Sequence, residues 1–166
     1  KRFSLIECVD WVNVIALTPA DEVVLVRQYR AGTDRITREI PGGMVEEGED
    51  PREAAGRGLF EETGYRTGRI SYLGEVEPNP AFITNRCFTF VATDLERLGE
   101  PEGDGEEELT VEDVRLAEIP QLVLSGAARE VVGEGRQRQA EPVEVDHVEV
   151  GRSAHGASTV RSASTS

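Results

Sequence analysis

The sequence predicts an α/β protein, a mixed sheet packed between helices, and three observations carry that expectation. Residues 11–18 (WVNVIALT) form an apolar, β-branched run, and residues 23–29 alternate behind it, as strands do. Residues 51–63 carry helix signals at both ends. Strand-like stretches at 68–76, 86–93 and around 109–116 follow, and residues 118–124 open a second helix. Strands and helices in this order form a sheet whose faces are covered by helices.

The first strand, 11–18, is apolar enough to be buried, with Trp11 read as a packed core indole, the alternative being an indole that stacks on a base. Pro19-Ala20-Asp21 reads as a turn, so Val23 to Tyr29 is expected to return beside the first strand as a hairpin. Residues 31–35 are a loop, 36–40 a short strand, and 41–49 a glycine-containing loop. Asp50 is placed to cap the helix, with Pro51 at its first position and Glu53 three residues on. Ala54, Ala55, Leu59 and Phe60 give it an apolar face, and Gly64 is free to take the left-handed conformation that ends it. A proline-rich loop, 77–85, separates the next two strands, and the acidic stretch 96–107 reads as surface loop. One domain is expected over residues 1–126. Residues 127–166 are polar and rich in Ser, Gly, Glu and Arg, which predicts a largely disordered tail, with 142–150 (PVEVDHVEV) able to form a lone edge strand.

The chain has 166 residues, enough for one compact core, and a net charge of −14. That charge argues against nucleic acid or an anionic membrane as partner. No apolar run approaches the roughly 18 residues of a membrane span. Cys8 and Cys87 both fall in apolar, strand-like surroundings and read as buried thiols, which suits a cytoplasmic protein. His147 and His155 lie in the tail with no zinc-ligand spacing.

The chemistry is concentrated in GMVEEGEDPREAAGRGLFEETGY, residues 43–65. Glu61 and Glu62 lie one turn beyond position 58, where helix neighbours three and four apart share a face. Carboxylates crowded in this way repel one another unless a hard cation sits among them. Mg²⁺ takes oxygen ligands and leaves positions for water and phosphate oxygens.

The spacing Gly43-x5-Glu49-x7-Arg57-Gly58-Leu59-x-Glu61-Glu62-x-Gly64-Tyr65 resembles the Nudix box, G-x5-E-x7-R-E-U-x-E-E-x-G-U with U a bulky apolar residue. Every fixed position matches except one, where Gly58 stands in place of Glu. Val26-Arg27-Gln28-Tyr29-Arg30, Glu39-Ile40-Pro41-Gly42-Gly43 and Glu77-Pro78-Asn79-Pro80-Ala81-Phe82 are similar to the branch that cleaves ADP-ribose and other nucleoside diphosphate sugars. The resemblance covers roughly residues 9–125. It implies an α/β/α sandwich with a mixed sheet, and Mg²⁺ (or Mn²⁺) as cofactor. It also implies a small-molecule nucleotide-sugar substrate and a homodimer.

Site roles follow from the same resemblance. Glu61 and Glu62 would bind metal, with the Gly42 carbonyl and Glu49 in support, and Arg57 would orient carboxylates. Glu107, in the run Glu106-Glu107-Glu108, would help activate water. Arg30, Arg27, Glu39 and Pro80 would contact substrate. Arg27 and Arg30 lie three apart on one strand, so only one of them can face the site. Gly58 leaves two readings open: a hydrolase of nucleoside diphosphate sugars, or a degenerate module that binds them, or a partner, with little turnover.

Overall fold

The computed structural model describes residues 2–101, 109–127 and 159–164. Nine strands and two α-helices are set out among them in the order β1 (Arg2–Glu7), β2 (Trp11–Ala16), β3 (Glu22–Arg30), β4 (Arg35–Glu39), β5 (Gly42–Met44), α1 (Pro51–Thr63), β6 (Tyr65–Val76), β7 (Cys87–Arg97), β8 (Thr110–Arg115), α2 (Ile119–Ser125) and β9 (Thr159–Ser164). A 3₁₀ turn, Leu116–Glu118, leads into α2.

A four-stranded sheet has the order β5-β2-β7-β6, and a three-stranded sheet the order β4-β3-β8. Strand β2 runs parallel to β7 and antiparallel to β5, so the larger sheet is mixed. Val12, Val14 and Ala16 alternate along β2 and meet Ala54, Ala55 and Leu59 of α1 with Phe88, Phe90 and Ala92 of β7. The intervening Ile15 and Leu17 pack instead with Val23, Leu25 and Ile40 against Ile119 and Leu122 of α2. Two-residue periodicity thus places the two faces of one strand in two cores, with a helix over each. This is the α/β/α sandwich the sequence predicts.

The expected hairpin between 11–18 and 23–29 does not form. Strand β3 pairs with β4 and β8, and a single bridge, Leu17 with Val23, links it to the end of β2. β7 lines one edge of β2 and β5 pairs with Trp11–Asn13 on the other, while β3 lies in a separate sheet between β4 and β8. The turn itself is real: the Asp21 N–H donates to the Thr18 carbonyl at 3.1 Å, and Asp21 takes a φ of 58°. Trp11 also departs from expectation. It begins β2 opposite Met44 and is 43% exposed, on the surface rather than in the core. Cys87 is buried and Cys8 only half-buried.

Within the loop expected at 41–49, Gly42–Met44 forms a short strand against β2. A Cβ at Gly42 would overlap the Val12 carbonyl oxygen, so only glycine lets the two backbones meet here. Residues 159–164 fall in the stretch expected to lack structure, and they form β9 antiparallel to β1. Their low-complexity composition concealed this, because strand pairing is made by backbone groups that every residue here supplies. Glu107, His147, His155 and the stretch 142–150 lie outside the described residues.

Candidate active site

Helix α1 presents the box. Asp50 caps it, its carboxylate accepting the Arg52 N–H at 2.7 Å, and Pro51 occupies the first turn. Gly64 closes it at φ 71°, donating its N–H to the Phe60 carbonyl. Ala54, Ala55 and Leu59 fix the rotation of the helix by facing the core. That rotation turns Gly58 and Glu62 toward the glycine strand β5, and Arg57 and Glu61 toward its margin.

Arg57 is the organiser of that margin. Its Nε and Nη2 donate to the two oxygens of Glu49 at 2.9 and 2.8 Å, its Nη1 to Glu61 at 3.1 Å, and Nη2 also to the Met44 carbonyl at 2.9 Å. A planar guanidinium suits this bidentate grip, and a lysine would not. The Arg57 side chain holds the Glu49 carboxyl below its ordinary pKa, and the carboxylates in turn keep Arg57 protonated. Glu49 also accepts the Glu46 N–H at 2.9 Å, pinning the loop before the helix. Glu49 is therefore engaged with Arg57 and its own loop, and Glu61 reaches solvent with 46% of its side chain exposed.

Glu62 is half-buried and accepts the Gly42 N–H at 2.9 Å. Burial pushes its carboxyl up to about 7; the Gly42 N–H and Arg30 oppose that rise, and the charges on Glu39 and Glu61 add to it. Glu62 thus lies in the field of Arg30, Glu39 and Glu61 together, although these residues come from separate elements.

Arg30 and Glu39 meet across the β3–β4 pair. The Arg30 Nε donates to Glu39 Oε1 at 2.9 Å and its Nη2 to Oε2 at 2.5 Å. Gln28 donates to the same carboxylate at 3.1 Å, and the Thr37 hydroxyl also donates to it. Val26 stands opposite Glu39 in register, so 26, 28 and 30 share the face that Glu39 joins. Arg27 points to the other face, opposite Arg38. Of the two arginines weighed from the sequence, Arg30 is the one whose charge acts on Glu62. Gln28 and Thr37 were not singled out from the sequence. Their two-residue spacing from Arg30 and Glu39 on neighbouring strands was the signal that could have found them. Pro80 is exposed in the loop 77–85, which is tied to β1 by the Ile6 N–H on the Phe82 carbonyl at 2.7 Å.

The described residues bring no three His, Cys, Asp or Glu side chains together around one point. The Glu62 carboxylate meets the Gly42 N–H, and the Gly42 carbonyl lies against Gly58 one helical turn earlier, with Glu61 the residue beside Glu62 in the chain. A donor set of oxygens alone fits a hard divalent cation that keeps waters and takes substrate oxygens, as Mg²⁺ does.

The family model for the NUDIX domain matches residues 10–136. The chain belongs to the Nudix family. It is similar to an ADP-ribose pyrophosphatase of Bacillus subtilis (strain 168), 35% identical over 115 residues, covering 69% of this chain and 62% of that protein. It is also similar to the methanol dehydrogenase activator of Bacillus methanolicus, 38% identical over 97 residues, 58% of this chain and 52% of that one. Among solved structures, the crystal structure of an ADP compounds hydrolase superposes with a TM-score of 0.63 at 28% identity, covering 72% of this chain and 62% of that one. The chain thus spans between 52% and 62% of the length of these relatives.

Proposed function

We propose that this Nudix domain hydrolyses the diphosphate of ADP-ribose or a related nucleoside diphosphate sugar, giving a nucleoside monophosphate and a sugar phosphate. One observation carries the reading: the half-buried Glu62 carboxylate, fixed by the Gly42 N–H, lies in the field of an arginine fork already aligned by Glu39. A guanidinium aligned in this way suits diphosphate oxygens, and the acidic carboxylates opposite suit a cation. The names of the ADP-ribose pyrophosphatase and ADP compounds hydrolase relatives support the substrate class.

Glu62, Glu61 and the Gly42 carbonyl would hold Mg²⁺ or Mn²⁺. When bound, the ion supplies Lewis-acid polarisation of a phosphoryl oxygen and lowers the pKa of water. Arg30 binds and orients the diphosphate, and Glu39 holds Arg30 in place. Arg57 bridges Glu49 and Glu61 and offsets their mutual repulsion. A water oxygen forms a bond to one phosphorus in line, the bridging P–O bond breaks, and its electron pair leaves on the second phosphate. The water's proton passes to a carboxylate, for which Glu107 is the proposed acceptor. Pro80 would border the sugar side. The reading also takes the protein as a cytoplasmic homodimer without nucleic-acid or membrane partners. Among the described residues, no helix is long and apolar enough to cross a membrane.

Release of AMP from ADP-ribose with Mg²⁺, lost in Glu62→Gln, is the test. A second reading, a module that binds nucleotide sugars without turnover, is favoured by one observation, the glycine at 58 in place of a carboxylate. Saturable ADP-ribose binding with no AMP release would establish it.

A further inference from the structure

Gly56 and Gly58 lie two residues apart on α1, about 200° around its axis, so they look to opposite sides of the helix. Gly58 faces the glycine strand, where a Cβ would overlap the Gly42 carbonyl oxygen. At Gly56 no neighbouring strand or side chain lies within 4 Å of where a Cβ would stand. Glycine weakens a helix interior relative to alanine, and no packing neighbour requires it here. This open side of α1 borders a cleft of about 380 Å³, between the helix and the first residues of β6. Arg52, Arg57 and Arg66 line it, beside the single carboxylate of Glu53. Three arginines to one glutamate reverse, locally, the sign of a chain whose net charge is −14.

The three guanidinium groups differ. Arg57 already grips Glu49 and Glu61, so its charge is matched. Arg52 donates to the Ile70 carbonyl and lies 5.9 Å from the centre of the Phe90 ring, partners that position it without neutralising it. Glu96 stands opposite Arg66 in the β6–β7 register, yet among the described residues neither Arg52 nor Arg66 forms an ion pair. Two unmatched cations from separate elements therefore border one cleft. Part of its wall is apolar: Phe60 is half-buried, and Leu98 is 48% exposed and held in place by its N–H on the Gly64 carbonyl at 2.9 Å. The volume is far larger than a lone anion needs and falls within the range of small-molecule sites, about 300–1,000 Å³.

We propose that this cleft is a second binding site, apart from the Glu62 side of the helix, for a small phosphate monoester that carries a flat apolar group. The phosphate bridges Arg52 and Arg66, and the apolar group lies along Phe60 and Leu98 over Gly56. Near neutral pH a phosphate monoester offers up to about two charges and three oxygens, enough for two guanidinium forks, whereas a carboxylate suits one. The proposal goes beyond the hydrolase reading and does not depend on turnover.

Phenyl phosphate is the probe, titrated by calorimetry into the full chain in EDTA and compared with inorganic phosphate and benzoate. It is expected to bind at least about tenfold more tightly than either, the scale of burying one aromatic ring or one further charged contact. Arg66→Gln weakens phenyl phosphate by about tenfold, as loss of charged hydrogen bonds does. Gly56→Leu, whose side chain fills the cleft, removes the preference for phenyl phosphate over inorganic phosphate. Arg30→Lys leaves phenyl phosphate binding unchanged. Thermal melts of both cleft variants are expected no lower than that of the parent; Arg66→Gln, at an exposed position, decides alone if the helix does not accept leucine. No saturable binding, equal affinity for the three probes, or full affinity in Arg66→Gln or in a folded Gly56→Leu overturns the proposal. Loss in Arg30→Lys with full affinity in Arg66→Gln also overturns it, placing the phosphate at the Arg30 fork and leaving the hydrolase reading intact.

Discussion

Arg30 is gripped by Glu39 across two strands, its Nε and Nη2 reaching the two carboxylate oxygens at 2.9 and 2.5 Å. The carboxylate is almost wholly buried and the guanidinium is 47% exposed, so the pair anchors at one end and presents charge at the other. Gln28 and Thr37 also donate to the carboxylate. In the function proposed above, Glu39 is a positioning residue and Arg30 the group that would meet phosphate.

The two should separate in kinetics. Arg30→Lys keeps a charge but loses the fork, and is expected to raise KM for ADP-ribose with little change in melting temperature. Glu39→Gln leaves the fork without its anionic anchor and is expected to cost about 1–3 kcal/mol of stability, as lost hydrogen bonds to charged groups do. Urea unfolding and steady-state kinetics on both variants check this; equal stability losses would sink the distinction.

The helix and its caps were legible because local rules decide them. Asp50, Pro51 and Gly64 punctuate the chain, and the box spacing fixes which residues share a face. What was not legible was partner choice among strands. Val23 to Tyr29 follows a genuine turn, yet it pairs with β4 and β8 in another sheet, a choice no local window contains. The close approach at Gly58, where a Cβ would overlap the Gly42 carbonyl oxygen, is hidden for a similar reason. Sequence shows a missing carboxylate, whereas the meaning of that glycine lies in a backbone sixteen residues upstream, at Gly42.

The Glu49–Arg57 pair predicts an acid-sensitive step. Glu49's carboxyl is held below its ordinary 4.5 by Arg57. The folded state therefore binds this proton less readily than the unfolded chain. The contribution is complete above pH 4.5 and is lost as pH falls below it through the lower folded value. Glu49→Gln is expected to cost about 1–2 kcal/mol at neutral pH. In melts taken from pH 7 down to pH 3, the gap between variant and parent should narrow. A constant gap would show that the ion pair is not its source.

Glu62 carries the opposite sign. Its carboxyl is raised from 4.5 to about 7, so the folded state prefers the protonated form. That contribution is present in full below pH 4.5 and is lost as pH rises through 7. A divalent cation would compensate the ionised carboxylate and compete with its proton. Mg²⁺ is thus expected to raise the melting temperature more at pH 8 than at pH 6, with stabilisation of about 2.7 kcal/mol at a hundredfold excess over Kd. Glu62→Gln should abolish the difference. An Mg²⁺ effect indifferent to pH, or intact in the variant, would place the ion elsewhere.

Gly64 sets the angle at which α1 hands the chain to β6, and two independent constraints meet there. Its φ of 71° is one that a residue with a Cβ adopts at a cost. The added Cβ would also overlap the Gly99 carbonyl oxygen and lie 2.7 Å from its carbon, where the segment just after β7 passes the helix terminus. The Leu98 N–H bonds the Gly64 carbonyl at 2.9 Å, so that segment cannot withdraw without losing a hydrogen bond. Left-handed strain alone is about 1–2 kcal/mol. Gly64→Ala should therefore cost more than about 2 kcal/mol once the backbone overlap is added. Gly56→Ala, on the open face of the same helix, should gain close to 1 kcal/mol. Paired urea titrations of the two variants measure the contrast, and a mild effect at Gly64 would mean that the β7 terminus yields more freely than its hydrogen bond implies.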